Sequence, residues 1–232
     1  MKLLVRKYCV LTWTVILLII NVAVHGQHFY RIESDISIKT KEQGGQGSLT
    51  LGRVYYDKTI GKMVYDIAFP EKEIWVVKDS LSMIFRDGSL YQKNVINPFI
   101  ETTVLHKCLE GKLNDFGLSD TPYRIDKVEK DGNMVITTWK PPQGSIHLGQ
   151  ILTSTVNNSL YGVVIKHPTG EVLSRQIYEN YVVVGGGLKI PSEIIQVMYR
   201  TGAEIYQVIT LSDIKVNNIG NANIYDYSAG SD

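Results

Sequence analysis

Hydrophobic and polar residues alternate along most of this chain in short runs that are separated by turn residues. Residues 34–41 are typical, since Ile36 and Ile38 fall on one side and charged or hydroxyl residues on the other. Tight turns are predicted at Asp87-Gly88 and Asp131-Gly132, because glycine adopts a positive φ without a Cβ penalty. The pattern predicts a mainly β protein with about ten or eleven antiparallel strands.

One segment has helical periodicity instead. Asn97 can cap a helix, Pro98 suits its first turn, and Gly111 can end it. Between them the apolar positions recur on one face, at Ile100, Val104, Leu105, Cys108 and Leu109. This predicts a helix of about 13 residues. Because it has a single apolar stripe, we expect it to pack against the sheet.

The N-terminus has the three-part layout of a secretory signal peptide. Lys2, Arg6 and Lys7 precede an apolar run over residues 10–24, and small residues follow before Gln27. A retained anchor is the alternative, but the run is about 15 residues long and a bilayer span needs ~20. We therefore predict a cleaved leader over residues 1–26, one domain over residues 27–216 and a polar, partly disordered tail over residues 217–232.

Net charge and cysteine content argue against nucleic-acid binding and against an internal disulfide. The whole chain has a formal charge of +1, and loss of the three leader cations leaves −2. A chain so close to neutral has no excess of basic residues with which to bind nucleic acid. Cys108 is the single cysteine after residue 26, so no internal disulfide can form.

The sequence has no recognisable catalytic or metal-binding signature. The histidines at 28, 106, 147 and 167 include no pair at ligand spacing, and His106 and Cys108 point to different sides of a helix. No G-x-S-x-G nucleophile motif occurs. Gly185-Gly186-Gly187 lacks the Lys-Ser/Thr pair of a phosphate-binding loop and is interpreted as a flexible loop. We predict a protein that is not an enzyme and needs no cofactor or metal.

Two strands are apolar on both faces, over residues 74–77 and 181–184. A single helix cannot cover that much apolar surface. The sheet must therefore curl on itself or enclose a cavity.

Three stretches resemble the LolA-like proteins, the periplasmic lipoprotein carriers of Gram-negative bacteria and their wider superfamily of envelope lipid carriers. They are residues 47–52 leading to 62–70, residues 75–85, and residues 188–192 followed by 205–217. Two positions depart from the family pattern. Ser80 stands where the hairpin usually has glycine, and Val54 follows Arg53 where carriers often have an arginine-proline pair.

The resemblance implies a single, strongly curved antiparallel sheet, or incomplete β-barrel, with one or more helices in its concavity. It also implies an apolar cavity for the acyl chains of a lipid or lipoprotein, with envelope membrane proteins as further partners. The side chains expected to line that cavity are Trp75, Met83, Phe85, Phe99, Val104 and Trp139. The alternative is a non-catalytic scaffold or partner-binding component of a cell-envelope assembly. A cavity of several hundred Å³ favours the carrier, and a filled core with an exposed apolar patch favours the scaffold.

Overall fold

The computed structural model describes residues 29–95, 103–200 and 203–228. These residues form one antiparallel sheet of thirteen strands. The strands are β1 (Arg31–Glu42), β2 (Gly47–Asp57), β3 (Lys62–Phe69), β4 (Glu73–Lys78), β5 (Leu81–Arg86), β6 (Ser89–Val95), β7 (Arg124–Asp131), β8 (Met134–Lys140), β9 (Ile151–Val156), β10 (Ser159–Lys166), β11 (Val172–Val184), β12 (Leu188–Arg200) and β13 (Ala203–Val216).

Neighbouring strands in the sheet follow the chain, with one exception. The spatial order is β6-β5-β4-β3-β2-β1-β13-β12-β11-β10-β9-β8-β7, so that the first strand pairs with the last in the middle. Strands β6 and β7 are the two edges, and the sheet is not closed. The predicted mainly β architecture and antiparallel pairing are confirmed.

Local turn chemistry explains the hairpins. Asp87 and Gly88 join β5 to β6 with φ values of 50° and 77°, and Asn157 and Asn158 join β9 to β10 with φ values of 50° and 58°. Two-residue loops with positive φ at both positions match the twist of the flanking strands. These turns fix which side chains face each other across the sheet.

The helix is shorter than its periodicity predicts. Helix α1 spans Val104–Leu109, after Thr103 in an extended conformation whose Oγ1 accepts a hydrogen bond from the His106 backbone N–H. A continuous helix from Pro98 is therefore wrong, because Thr103 is extended and caps the N-terminus of α1. Residues 96–102 lie outside the described part of the chain. Gly111 follows the helix with a φ of 68°, as expected for a residue that ends it.

Each face of the sheet has its own buried cluster. Adjacent residues of one strand belong to different clusters, as Tyr55 and Tyr56 do in β2 and Val76 and Val77 in β4, because side chains alternate along a strand. Helix α1 packs against the first face through Leu105, Cys108 and Leu109, and we call this the helix face. The opposite one is the tail face, for the segment that covers it.

The C-terminal segment packs on the tail face of β2–β5. Its apolar side chains, Ile224, Tyr225 and Tyr227, cover a cluster formed by Tyr55, Val64, Val76, Met83 and Phe85. Ile224 and Tyr225 belong to a short 3-10 helix, Ala222–Asp226, and Tyr227 follows it directly. Residues 217–228 are therefore packed on the sheet despite their polar composition, because three of them bury apolar surface.

Polar anchors hold the same segment. The buried Glu33 carboxylate accepts hydrogen bonds from Asn218 Nδ2 at 2.8 Å and Asn221 Nδ2 at 2.9 Å. Lys62 Nζ donates to the backbone carbonyls of Tyr225, at 2.6 Å, and Tyr227. Glu33 and Lys62 thus both have hydrogen-bond partners in the tail, which makes the segment part of the fold.

The sheet has more strands than predicted, and β6 is one that no hydrophobic pattern marks. All seven of its residues are exposed. Its pairing with β5, rather than burial, defines it as a strand. Among the described residues, none of the helices has the length and apolar character that crossing a membrane requires.

Candidate ligand cavity

A cavity of about 320 Å³ lies on the helix face, between α1 and the central strands. Small-molecule sites usually measure roughly 300–1,000 Å³ and are mainly apolar. Most of this lining is apolar or aromatic. It comprises Ile36, Val54, Tyr65, Thr103, Val104, Leu105, Gln176, Tyr178, Ile194, Gln196, Ile209 and Leu211.

Strand register brings the wall together from distant parts of the chain. Ile36 of β1 pairs with Leu211 of β13, and Ile194 of β12 pairs with Ile209 of β13. These pairs share the helix face because directly opposite residues point the same way in an antiparallel sheet. The sheet side of the wall is consequently continuous from β1 through β13 to β12.

Helix α1 closes the other side. Tyr56 Oη and His106 Nδ1 lie 2.6 Å apart, which ties the helix to β2. Lys58 Nζ contacts a Glu110 carboxylate oxygen at 3.0 Å just beyond the helix. The hydrogen bond from Lys58 holds the pKa of Glu110 below its usual value, so this ion pair persists at neutral pH.

The polar groups of the cavity are neutral. The Tyr178 hydroxyl donates to Gln176 Oε1. Burial raises the pKa of the Tyr178 hydroxyl, and it raises that of Tyr65 to about 12. Both hydroxyls are therefore protonated at any physiological pH.

A second, more open cavity of about 420 Å³ adjoins the first. The two cavities share Gln176 and Gln196. The remaining walls of the second come from Phe116, Ile165, Leu173, Ser174, Met198 and Tyr199. The helix face therefore has two largely apolar spaces that meet at a pair of amides.

The residues predicted to line the cavity lie in different parts of the structure. Val104 lines the first cavity, and the ring of Trp75 lies 6.3 Å from that of Tyr65, which also lines it. Trp139 is buried on the helix face, with its indole N–H bonded to Thr153 Oγ1 at 3.0 Å, outside both linings.

Met83 and Phe85 lie on the tail face, beneath the C-terminal segment. The register explains this placement, because Met83 pairs with Val76 and not with Val77. The structure therefore does not bring these two residues together with Val104. Phe99 lies outside the described residues.

Sequence patterns missed the contribution of β11 to β13. Their apolar residues alternate in the ordinary way of a half-buried strand, which does not distinguish a cavity wall from a filled core. One feature of the sequence could have indicated the cavity. Gln176 and Gln196 occupy positions on the apolar faces of β11 and β12, where a packed core rarely has amides.

Other candidate chemistry is missing from the described residues. No three His, Cys, Asp or Glu side chains among them group as metal ligands. Cys108 is 3% exposed, and burial raises the pKa of its thiol to about 12. Such a thiol is protonated and unreactive at neutral pH.

Comparisons with solved structures identify the fold. A LolA superfamily protein from Nitrosomonas europaea superimposes with a TM-score of 0.56 at 16% identity, over 84% of this chain and 90% of that one. A domain assigned to outer membrane lipoprotein sorting from Vibrio parahaemolyticus gives 0.59 at 10% identity, over 86% and 91%. A DUF1329 family protein from Desulfovibrio piger gives 0.56 at 10% identity, over 87% and 91%.

No protein-family model matches the sequence, and no curated protein matches it either. The chain therefore has a LolA-like fold, and the resemblance noted in its sequence is confirmed at the level of fold.

Proposed function

We propose that this protein is a non-enzymatic carrier that holds the acyl chains of a lipid or lipoprotein in the cavities of its helix face. The observation that supports this most directly is the largely apolar space of about 320 Å³ between α1 and the sheet. Val104 lies in its wall, and Trp75 lies beside it through Tyr65. In this proposal the sheet curves around the helix as an incomplete barrel.

The energetics require no catalytic or charged residue. Each buried CH₂ group contributes about 0.8 kcal/mol, so a chain of even modest length binds through desolvation alone. The LolA-like fold is consistent with this role, since one structural neighbour is assigned to outer membrane lipoprotein sorting. Adjoining cavities favour the carrier over a scaffold with a filled core.

The carrier is proposed to act in the periplasm, after removal of residues 1–26. Intact-mass measurement of the exported protein should then give a chain that starts at Gln27. Membrane proteins of the envelope would deliver and receive its cargo. Recovery of a chain that retains Met1 in the membrane fraction would contradict this location.

Binding can be tested with the delipidated protein and 1,6-diphenylhexatriene, a hydrocarbon that fluoresces in apolar surroundings. We expect binding at micromolar concentrations. Ile209→Trp should weaken it at least about tenfold, because the indole would occupy the cavity next to Ile194.

Ile195→Trp is the matched control. Ile195 is also half-buried in β12 but points to the tail face, since its neighbour Ile194 lines the cavity. This variant should bind the probe like the wild type. If the wild type binds no probe, or if both variants lose binding equally, the protein does not carry ligands in this cavity. If the wild type binds the probe and Ile209→Trp does not, mass spectrometry of organic extracts from natively purified protein would identify the natural amphiphile.

A further inference from the structure

We propose that Gln176 and Gln196 select ligands with an uncharged polar linkage, such as an ester or amide, and exclude those with an ionised head group in the cavity. The inference rests on the proposed carrier function and specifies its ligand. Apolar parts of the ligand would extend from the linkage into both cavities, which meet at these two amides.

The positions of Gln176 and Gln196 in the sheet support this proposal. Gln176 of β11 and Gln196 of β12 are direct partners in the antiparallel register. Both amides therefore project from the same face at neighbouring points. They are the two residues common to the linings of the two cavities. A ligand that occupies both spaces must pass them.

Hydrogen bonding is the second support. The Tyr178 hydroxyl engages Gln176 Oε1 and so leaves the Nε2 group of that amide as the half that can donate to a ligand. The raised pKa of Tyr178 keeps its hydroxyl protonated, which fixes this orientation. The Gln196 side chain has no hydrogen-bond partner among the described residues. The NH₂ groups of the two amides can therefore donate hydrogen bonds to a carbonyl oxygen of a ligand whose apolar parts lie against the walls.

Charge is the third support. No Lys, Arg, Asp or Glu side chain lines either cavity in the described part of the chain. Two cations lie next to the second cavity. Lys107 Nζ donates to the Phe116 carbonyl at 2.8 Å and lies 4.4 Å from the centroid of the Phe116 ring, and the guanidinium carbon of Arg175 lies 5.8 Å from the centroid of the Tyr199 ring. A carboxylate at the amide pair would lose its hydration without gaining an ion pair, and burying such a charge is costly.

The test compares three probes at pH 8 with the delipidated protein. They are cis-parinaric acid, whose carboxylate is ionised at that pH, its methyl ester, and diphenylhexatriene. We expect the ester to bind at least about tenfold more tightly than the acid, a factor that corresponds to ~1.4 kcal/mol. Equal or tighter binding of the acid would overturn the inference and point to Lys107 or Arg175 as the partner of a carboxylate.

Variants test the residues themselves. Replacing both glutamines by leucine should weaken ester binding about thirtyfold, since both hydrogen bonds to the ester are lost, while diphenylhexatriene binds as before. Gln207→Leu is the control, because Gln207 pairs with Gln196 in the same row but bonds to Thr40 outside both linings.

The outcomes separate the two proposals. Undiminished ester binding by the double variant would refute selection by the amides and leave the carrier function standing. If the wild type binds neither the ester nor diphenylhexatriene, both proposals fail. The comparison of ester and acid on the wild type needs no variant, so an unstable variant does not prevent a decision.

Discussion

Lys62→Met tests how the C-terminal segment is held on the sheet. Lys62 is 6% exposed, and its ammonium donates to two tail carbonyls, those of Tyr225 and Tyr227. Methionine has a similar length and no donor, so both carbonyls lose their partner. A hydrogen bond to a charged group contributes about 1.5–3 kcal/mol, which gives ~3–6 kcal/mol for two.

In the wild type, part of the stabilisation from these two hydrogen bonds is offset by the cost of burying the ammonium. Burial lowers the pKa of Lys62, and nearby Lys78 lowers it further, so the buried ammonium has a desolvation cost that methionine does not have. We therefore expect a net loss of about 3 kcal/mol in unfolding free energy, within the range of a broken buried network. For a domain of this size each kcal/mol lowers Tm by roughly 2–4 °C. Tm should fall by about 6–12 °C.

Thermal denaturation and hydrogen exchange check this expectation together. Amide protection should fall first in residues 218–228, because the tail loses its anchor before the sheet opens. Lys78→Met is the control, since Lys78 is the exposed cross-strand partner of Lys62, and it should leave Tm nearly unchanged. A change below about 1 °C for Lys62→Met, with tail protection intact, would refute the role of Lys62 as an anchor.

Three further outcomes follow from individual contacts. Cys108 should react with Ellman's reagent only in denatured protein, because burial raises the pKa of its thiol to about 12; fast labelling of the native state would mean that α1 is not docked. Burial raises the pKa of Glu73, but hydrogen bonds from Trp75 and Arg86 outweigh it and the net shift is downward. The stability that Glu73 contributes is thus present above the carboxyl's unfolded pKa and is lost as pH falls through the lower folded value, with a change in tryptophan emission that Glu73→Gln should abolish. Gly52→Ala should destabilise the protein by about 1–3 kcal/mol in urea denaturation, because a Cβ there would lie 2.3 Å from the Asp66 carbonyl oxygen; a neutral effect would mean that β2 and β3 shift apart.

Local chemistry made much of the sheet predictable from the sequence. The hairpin turn at Asp87-Gly88 depends on residues adjacent in the chain, and so does the alternation of Ile36 and Ile38 in β1. Strand β6 was not predicted. Its side chains are all exposed, and its backbone pairing with β5 defines it as a strand.

The two faces could not be assigned in the same way. Val76 and Val77 are both apolar and both buried, yet they belong to different clusters. A shift of one residue in the register exchanges the faces, and nothing within β4 or β5 decides between the two assignments. The deciding contact is remote, because the tail residues that cover Met83 and Phe85 lie more than a hundred positions further along the chain.

The same reasoning explains why fold persists where sequence similarity does not. An apolar wall needs residues of suitable size and no particular identity, and the hydrophobic effect that would drive a ligand into it is non-directional. Neighbours at 10–16% identity can therefore share this architecture. Discrimination between ligands is different, because a site that hydrogen-bonds its ligand rejects analogues that leave its polar groups unpaired. In the proposed carrier, ligand specificity would then lie in polar cavity positions such as Gln176 and Gln196.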